Sequence, residues 1–222
     1  GPKARDLLAG IAEADLGLPW LSVQYSAKVA GKDVALVRVS FAGELGWEVH
    51  CDRADAPTIY EALLAGGAKP FGMRALNAMR VEKGYRAWAG DIGPDHTPDE
   101  AGLGWAVKMK KDIPFKGREA VATQRAKGVK KMLATFTAAP EVILYGRETI
   151  YRDGKRVGWL SSGGYGHTLG QSIGLGYVRN PEGVTADYVL SGDYQLEVAS
   201  ELVPCEVTLA PLYDPKGAKI KA

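Results

Sequence analysis

From Val23 to Phe41 apolar and polar residues alternate, with a break at Gly31, and this period of two predicts a β-hairpin. WEVHC (47–51) keeps the alternation, placing Trp47 and Val49 on one face of a strand and Glu48 and His50 on the other. Four stretches carry a helical period instead. In ARDLLAGIAEADLG (4–17), Leu7, Leu8 and Ile11 share a face, and Gly17 and Pro19 act as stops. In DAPTIYEALLAGG (55–67), Asp55 is placed to cap the first free amides, Pro57 suits the first turn, and Gly66 is placed to end the helix in a left-handed conformation. FGMRALNAMRVEKG (71–84) has an apolar stripe of Met73, Leu76 and Met79 and stops at Gly84, and KGREAVATQRAKG (116–128) closes on its own glycine.

Residues 85–105 form a long stretch rich in Gly, Pro and Asp that still carries Tyr85, Trp88 and Trp105. A loop of that length is uncommon unless it is functional, and its aromatic side chains need a core or a ligand to cover them; the core is the expected cover. From Val129 onward the texture changes to short strands and turns, ADYVLSGDYQLEV among them, with Asp153-Gly154 and Gly192-Asp193 as turn pairs. This spacing predicts a small antiparallel barrel or sandwich. SSGGYGHTLG (161–170) reads as a glycine-rich loop whose glycines allow close backbone packing; it lacks the Lys-Ser/Thr of a phosphate-binding P-loop. The fold class is therefore α+β, with the division between an α+β part and an all-β part near residue 127.

With 28 basic and 26 acidic residues evenly spread over 222, the chain lacks the basic face of a phosphate-contacting nucleic-acid binder. No apolar run approaches the roughly 20 residues of a membrane span. Cys51 and Cys205 fit no metal spacing and read as reduced, buried thiols of a reducing compartment, with a single disulfide as the alternative. This usage points to the cytoplasm, or else the mitochondrial matrix. His50, His96 and His167 sit in no metal pattern and read as structural or solvated, and no nucleophile–base arrangement stands out. No metal is expected.

Five blocks taken in order resemble the folate-binding aminomethyltransferase family, the T-protein of the glycine cleavage system and its relatives. They are GPKARDLL (1–8), VSFAGELGWEVH (39–50), the helix-plus-loop FGMRALNAMRVEKGYRAWAGDIGPDHTPDEAGLGWAV (71–107), VGWLSSGGYGHTLGQSIGLGYV (157–178) and PLYDPKG (211–217). The variants EKGYRAWAGD, SSGGYGHTLG and PLYDPKG are similar, more narrowly, to the folate-binding C-terminal portion of dimethylglycine and sarcosine dehydrogenases.

The resemblance implies a partial folate-binding, T-protein-like domain over 1–127 and a C-terminal antiparallel β-barrel over 128–222, with transfer of a one-carbon unit from an amine to tetrahydrofolate. It implies that Glu48 binds the pterin, because an ionised carboxylate can accept both hydrogens of the pterin's amino and N–H edge. Glu44, on the turn, is expected in solvent. Arg80 matches the family's folate-contacting arginine, whose planar fork suits a carbonyl or carboxylate, and Tyr85 and Trp88 fall where an aromatic lines the folate channel. A family member would begin about 100 residues earlier, and that region would hold the catalytic aspartate, so no catalytic residue is assigned here and the chain reads as a C-terminal fragment. FAD is expected only with a separate N-terminal flavin domain. The expected partners are folate and an N-terminal half or flavin domain, with self-association through the uncovered surface as the alternative. Lys219 and Lys221 stand where relatives carry arginines that reach the folate. The reading that competes with transfer is a non-catalytic folate-binding or structural module.

Overall fold

The computed structural model describes residues 1–222. The chain divides into two compact units, residues 1–80 with 214–222, and residues 81–213. The first begins with helix α1 (Ala4–Ala9) and strands β1 (Ala12–Glu13), β2 (Val23–Val29), β3 (Lys32–Val37) and β4 (Glu48–Cys51), which form an antiparallel sheet in that order. The β2–β3 hairpin turns at Ala30-Gly31, both at positive φ (52° and 73°), the conformation whose twist matches the flanking strands. Helix α2 (Ala56–Ala65) covers one sheet face, where Val29, Val34 and Leu36 pack with Ile59.

The helix predicted over 4–17 stops at Ala9. Ala30 N–H donates to the Ile11 carbonyl, and Ala12 and Glu13 pair with Val29 and Lys28, so the residues beyond Gly10 extend the sheet. In α2 the termini differ from expectation. Asp55 makes no side-chain cap and pairs with Lys32 at 2.7 Å, while Gly66 stays right-handed (φ −72°) and Gly67 takes the left-handed position (φ 95°). Helix α3 (Met73–Glu82) follows, but Met73 is 76% exposed and contributes nothing to the expected stripe.

The second unit carries helix α4 (Arg118–Lys127) and then β5 (Val129–Ala138), β6 (Thr149–Arg152), β7 (Lys155–Gly166), β8 (Gln171–Val184), helix α5 (Ala186–Leu190), β9 (Tyr194–Val198) and β10 (Glu201–Thr208). Its six strands close into an antiparallel barrel in the order β10-β5-β8-β7-β6-β9, so the barrel alternative holds over the sandwich. Phe136, Ile150, Leu160 and Leu196 fill it. Two readings of this half are corrected. Ser161–Gly166 belong to β7, leaving only 167–170 as the turn. Ala186–Leu190 are helical, because the Thr185 hydroxyl caps them by accepting from Tyr188 N–H at 3.1 Å. The close packing expected of the glycines is present: a Cβ on Gly163 would lie 2.5 Å from the Gly146 nitrogen.

The texture change near residue 127 lies inside this unit, and the stretch from Glu82 to Glu100 is bonded to the barrel. Asp91, fully buried, accepts from the Ser161 and Ser162 hydroxyls at 2.5 and 2.7 Å and from Ala87 N–H at 2.8 Å, while the Tyr177 hydroxyl donates to its carbonyl. The Glu82 carboxylate accepts from Thr168 and Leu169 N–H at 2.7 and 3.0 Å. The chain closes with α6 (Ala218–Lys221) in the first unit, held by Asp214, which accepts from Ala218 and Lys219 N–H. No helix is long and apolar enough to cross a membrane.

Candidate functional site

Register fixes what the uncovered face of the first sheet presents. Val37 pairs with Glu48, Ala35 with His50, and Val23 with Val37. Val34 and Leu36 point toward α2, so Ala35, Val37, Glu48 and His50 share the other face. Glu48 and His50 side chains are 54% and 60% exposed and meet at 3.0 Å between Glu48 Oε2 and His50 Nε2. β4 thus holds a carboxylate over a low floor of small apolar side chains. Glu48 Oε1 carries no bond within the protein, and Oε2 is shared with His50. This arrangement can accept two donors from the edge of a flat ring system resting on Val37 and Ala35.

The opposite face of β4 anchors the strand. The Arg38 guanidinium, 1% exposed, lies 4.7 Å over the Trp47 ring and donates to the Gly46 and Ala222 carbonyls at 3.1 and 2.9 Å. Burial lowers its pKa, and the nearby Arg5 charge adds to the effect. A cavity of about 530 Å³ lies on this Trp47/Val49 side, lined also by Leu7, Leu63 and Phe71, and so stands apart from Glu48. Glu44, expected in solvent, is half-buried, and its N–H donates to the Ser40 hydroxyl.

Arg80 is 3% exposed, and its Nε and Nη2 both donate to Asn77 Oδ1, at 2.9 and 2.6 Å. Tyr85 is half-buried; Trp88, on the same loop of the second unit, is 71% exposed, with its backbone bridged to Ile92. Trp105 is 68% exposed, so the core does not cover the loop's tryptophans as expected. Of the four residues read from the sequence, Glu48 is engaged by His50, Arg80 by Asn77, and Tyr85 and Trp88 share a loop. His50, read as structural or solvated and placed by strand parity on the face of Glu48, is exposed and pairs with it. Arg38 was not singled out, although it shares the buried parity of Val34 and Leu36. Nothing in the sequence marked Asp91 as the carboxylate that ties the loop to β7.

Two family models match the chain, the GCVT N-terminal domain over residues 1–111 and the glycine cleavage T-protein C-terminal barrel domain over residues 131–214. The chain belongs to the glycine cleavage T-protein family. It is 39% identical over 230 residues to mitochondrial sarcosine dehydrogenase of Mus musculus, covering 100% of this chain and 25% of that protein. It is 37% identical over 186 residues to mitochondrial dimethylglycine dehydrogenase of Homo sapiens, covering 80% of this chain and 21% of that one. Against the aminomethyltransferase of Listeria innocua it is 30% identical, over 96% of this chain and 58% of that protein. The crystal structure of glycine cleavage system aminomethyltransferase T from Bartonella henselae superposes with a TM-score of 0.79 at 22% identity, over 95% of this chain and 57% of that one, which shows the T-protein fold. This T-protein family chain thus spans about a quarter of the length of the sarcosine dehydrogenase it matches.

Proposed function

We propose that the chain is the tetrahydrofolate-binding part of an aminomethyltransferase-type enzyme, in which a one-carbon unit passes from an amine of the glycine, dimethylglycine or sarcosine type to tetrahydrofolate. One observation carries the reading. In a chain of this family, Glu48 stands on an uncovered sheet face above Val37 and Ala35, with one carboxylate oxygen unengaged. That is the chemistry a pterin edge needs: an ionised two-oxygen acceptor facing two N–H donors.

Arg80, in the unit of Glu48, and Tyr85 and Trp88, in the second unit, are each proposed as folate contacts in their own right. Arg80 would turn its planar fork to a ligand carbonyl or carboxylate by giving up its bonds to Asn77, and Trp88 and Tyr85 would offer aromatic faces. Transfer would then rest on holding the one-carbon donor and the folate amines in attack geometry. Two of the similar proteins are mitochondrial dehydrogenases by name, which favours the mitochondrial matrix over the cytoplasm.

Calorimetric titration with 5-formyltetrahydrofolate tests this. Glu48→Gln should weaken binding by about 1.5–3 kcal/mol, the worth of a charged hydrogen-bonded pair. Equal affinity in both forms, or no binding by the native chain, overturns it. A structural module that holds no folate is the second reading, favoured by the openness of the Glu48 face, since small-molecule sites usually bury most of their ligand. Formation of 5,10-methylenetetrahydrofolate from an N-methylamine-derived iminium and tetrahydrofolate would exclude that reading.

A further inference from the structure

We propose that His50 is a proton-linked positioning residue for Glu48: charged, it holds the carboxylate to itself and weakens it as an acceptor; neutral, it releases it to the ligand. The inference rests on the proposed function and deepens it by assigning that site a regulatory partner.

Glu48 and His50 are two positions apart on one strand, so both stand on the open face, and Nε2 and Oε2 meet at 3.0 Å. His50 has no other side-chain partner. The imidazolium always presents an N–H at Nε2, whereas the neutral ring does so in only one tautomer and then without charge. An incoming pterin edge needs the oxygen that His50 occupies. Protonation of His50 therefore sets the ligand in competition with an internal cation, and deprotonation removes the competitor.

No other charged side chain bonds the pair. β4 lies at the sheet edge, so β3 is its only neighbouring strand. Ala35 is directly opposite His50, and Asp33, two residues before it, is the titratable group diagonal to His50. Asp33 faces Lys28 on β2, opposite in sign, and neither bonds His50. Asp52 follows the end of β4.

The test titrates 5-formyltetrahydrofolate into the native chain, His50→Gln and Glu48→Gln at pH 5.5 and pH 8, with parallel runs at pH 6.5 in two buffers of different ionisation enthalpy. Because the pair is exposed, native affinity should rise about two- to five-fold from the lower to the higher pH, with protons released on binding at pH 6.5. His50→Gln should bind equally at both pH values and release no protons, and Glu48→Gln should lose the rise along with most of its affinity. A native affinity that is level with pH, or a rise that persists in His50→Gln, overturns the role of His50 while leaving the folate reading in place. No binding by the native chain at either pH overturns the folate reading, and the gate with it.

Discussion

Burial pushes the Cys205 thiol on β10 from its ordinary 9.0 up to about 12, with the Asp193 charge adding to the effect, and burial likewise raises the Tyr194 phenol from 10.0 to about 12. Both groups keep their protons when folded at a pH where the unfolded chain has already lost them. The folded state therefore binds more protons across that window, and stability falls as pH rises from about 9 toward 12. The urea midpoint should drop steadily between pH 9 and pH 11, and Cys205→Ala should shallow the drop. A midpoint level across that range would refute it. Residues were legible where a periodic pattern governs them. Alternation alone put Glu48 on the face away from Trp47, which the register of β3 and β4 reproduces. The burial of Arg80 was not legible, because it depends on how Asn77 and the rest of the fold close around one position of a helix, and helical spacing carries no record of that.

Among the elements, the glycines of β7 separate close approach from mere flexibility. A Cβ on Gly158 would sit 1.9 Å from the Tyr177 carbonyl oxygen across the β7–β8 ladder, whereas one on Gly164 would meet nothing within 4 Å. Gly158→Ala should destabilise the fold by about 3 kcal/mol, the upper end for overpacking, and Gly164→Ala should be neutral or slightly stabilising. Urea denaturation of the two variants checks the contrast; equal effects would sink it. Elements marked by both periodicity and a turn pair were legible, as in the β2–β3 hairpin and the Asp153-Gly154 turn, where both residues adopt positive φ. Elements decided by one hydrogen bond were not. Thr185 turns ADYVL into a helix with a single cap, and the Ala30–Ile11 bond takes the end of the first amphipathic run into the sheet. In each case the local sequence fits two conformations, and a partner elsewhere selects one.

On the whole molecule, large apolar side chains face solvent in both units: Tyr25 and Met73 in the first, Trp88, Trp105 and Ile113 in the second. Surfaces of this kind favour association. Sedimentation velocity over a hundred-fold concentration range should show the chain self-associating, and a single monomer boundary throughout would exclude it. The barrel adds a constraint of another sort. Its last strand, β10, pairs with its first, β5, through Val207 and Phe136, and also with β9. No barrel can close before residues 206–208 have been made and brought back to 135–137, and the entropy of that long loop must be met before the contacts that reward it form. A growing chain therefore carries β5 and β9 as open edges until its final strand arrives. The order of synthesis makes β10 the closing step of folding and makes the interval before it the time of greatest exposure to edge-to-edge aggregation.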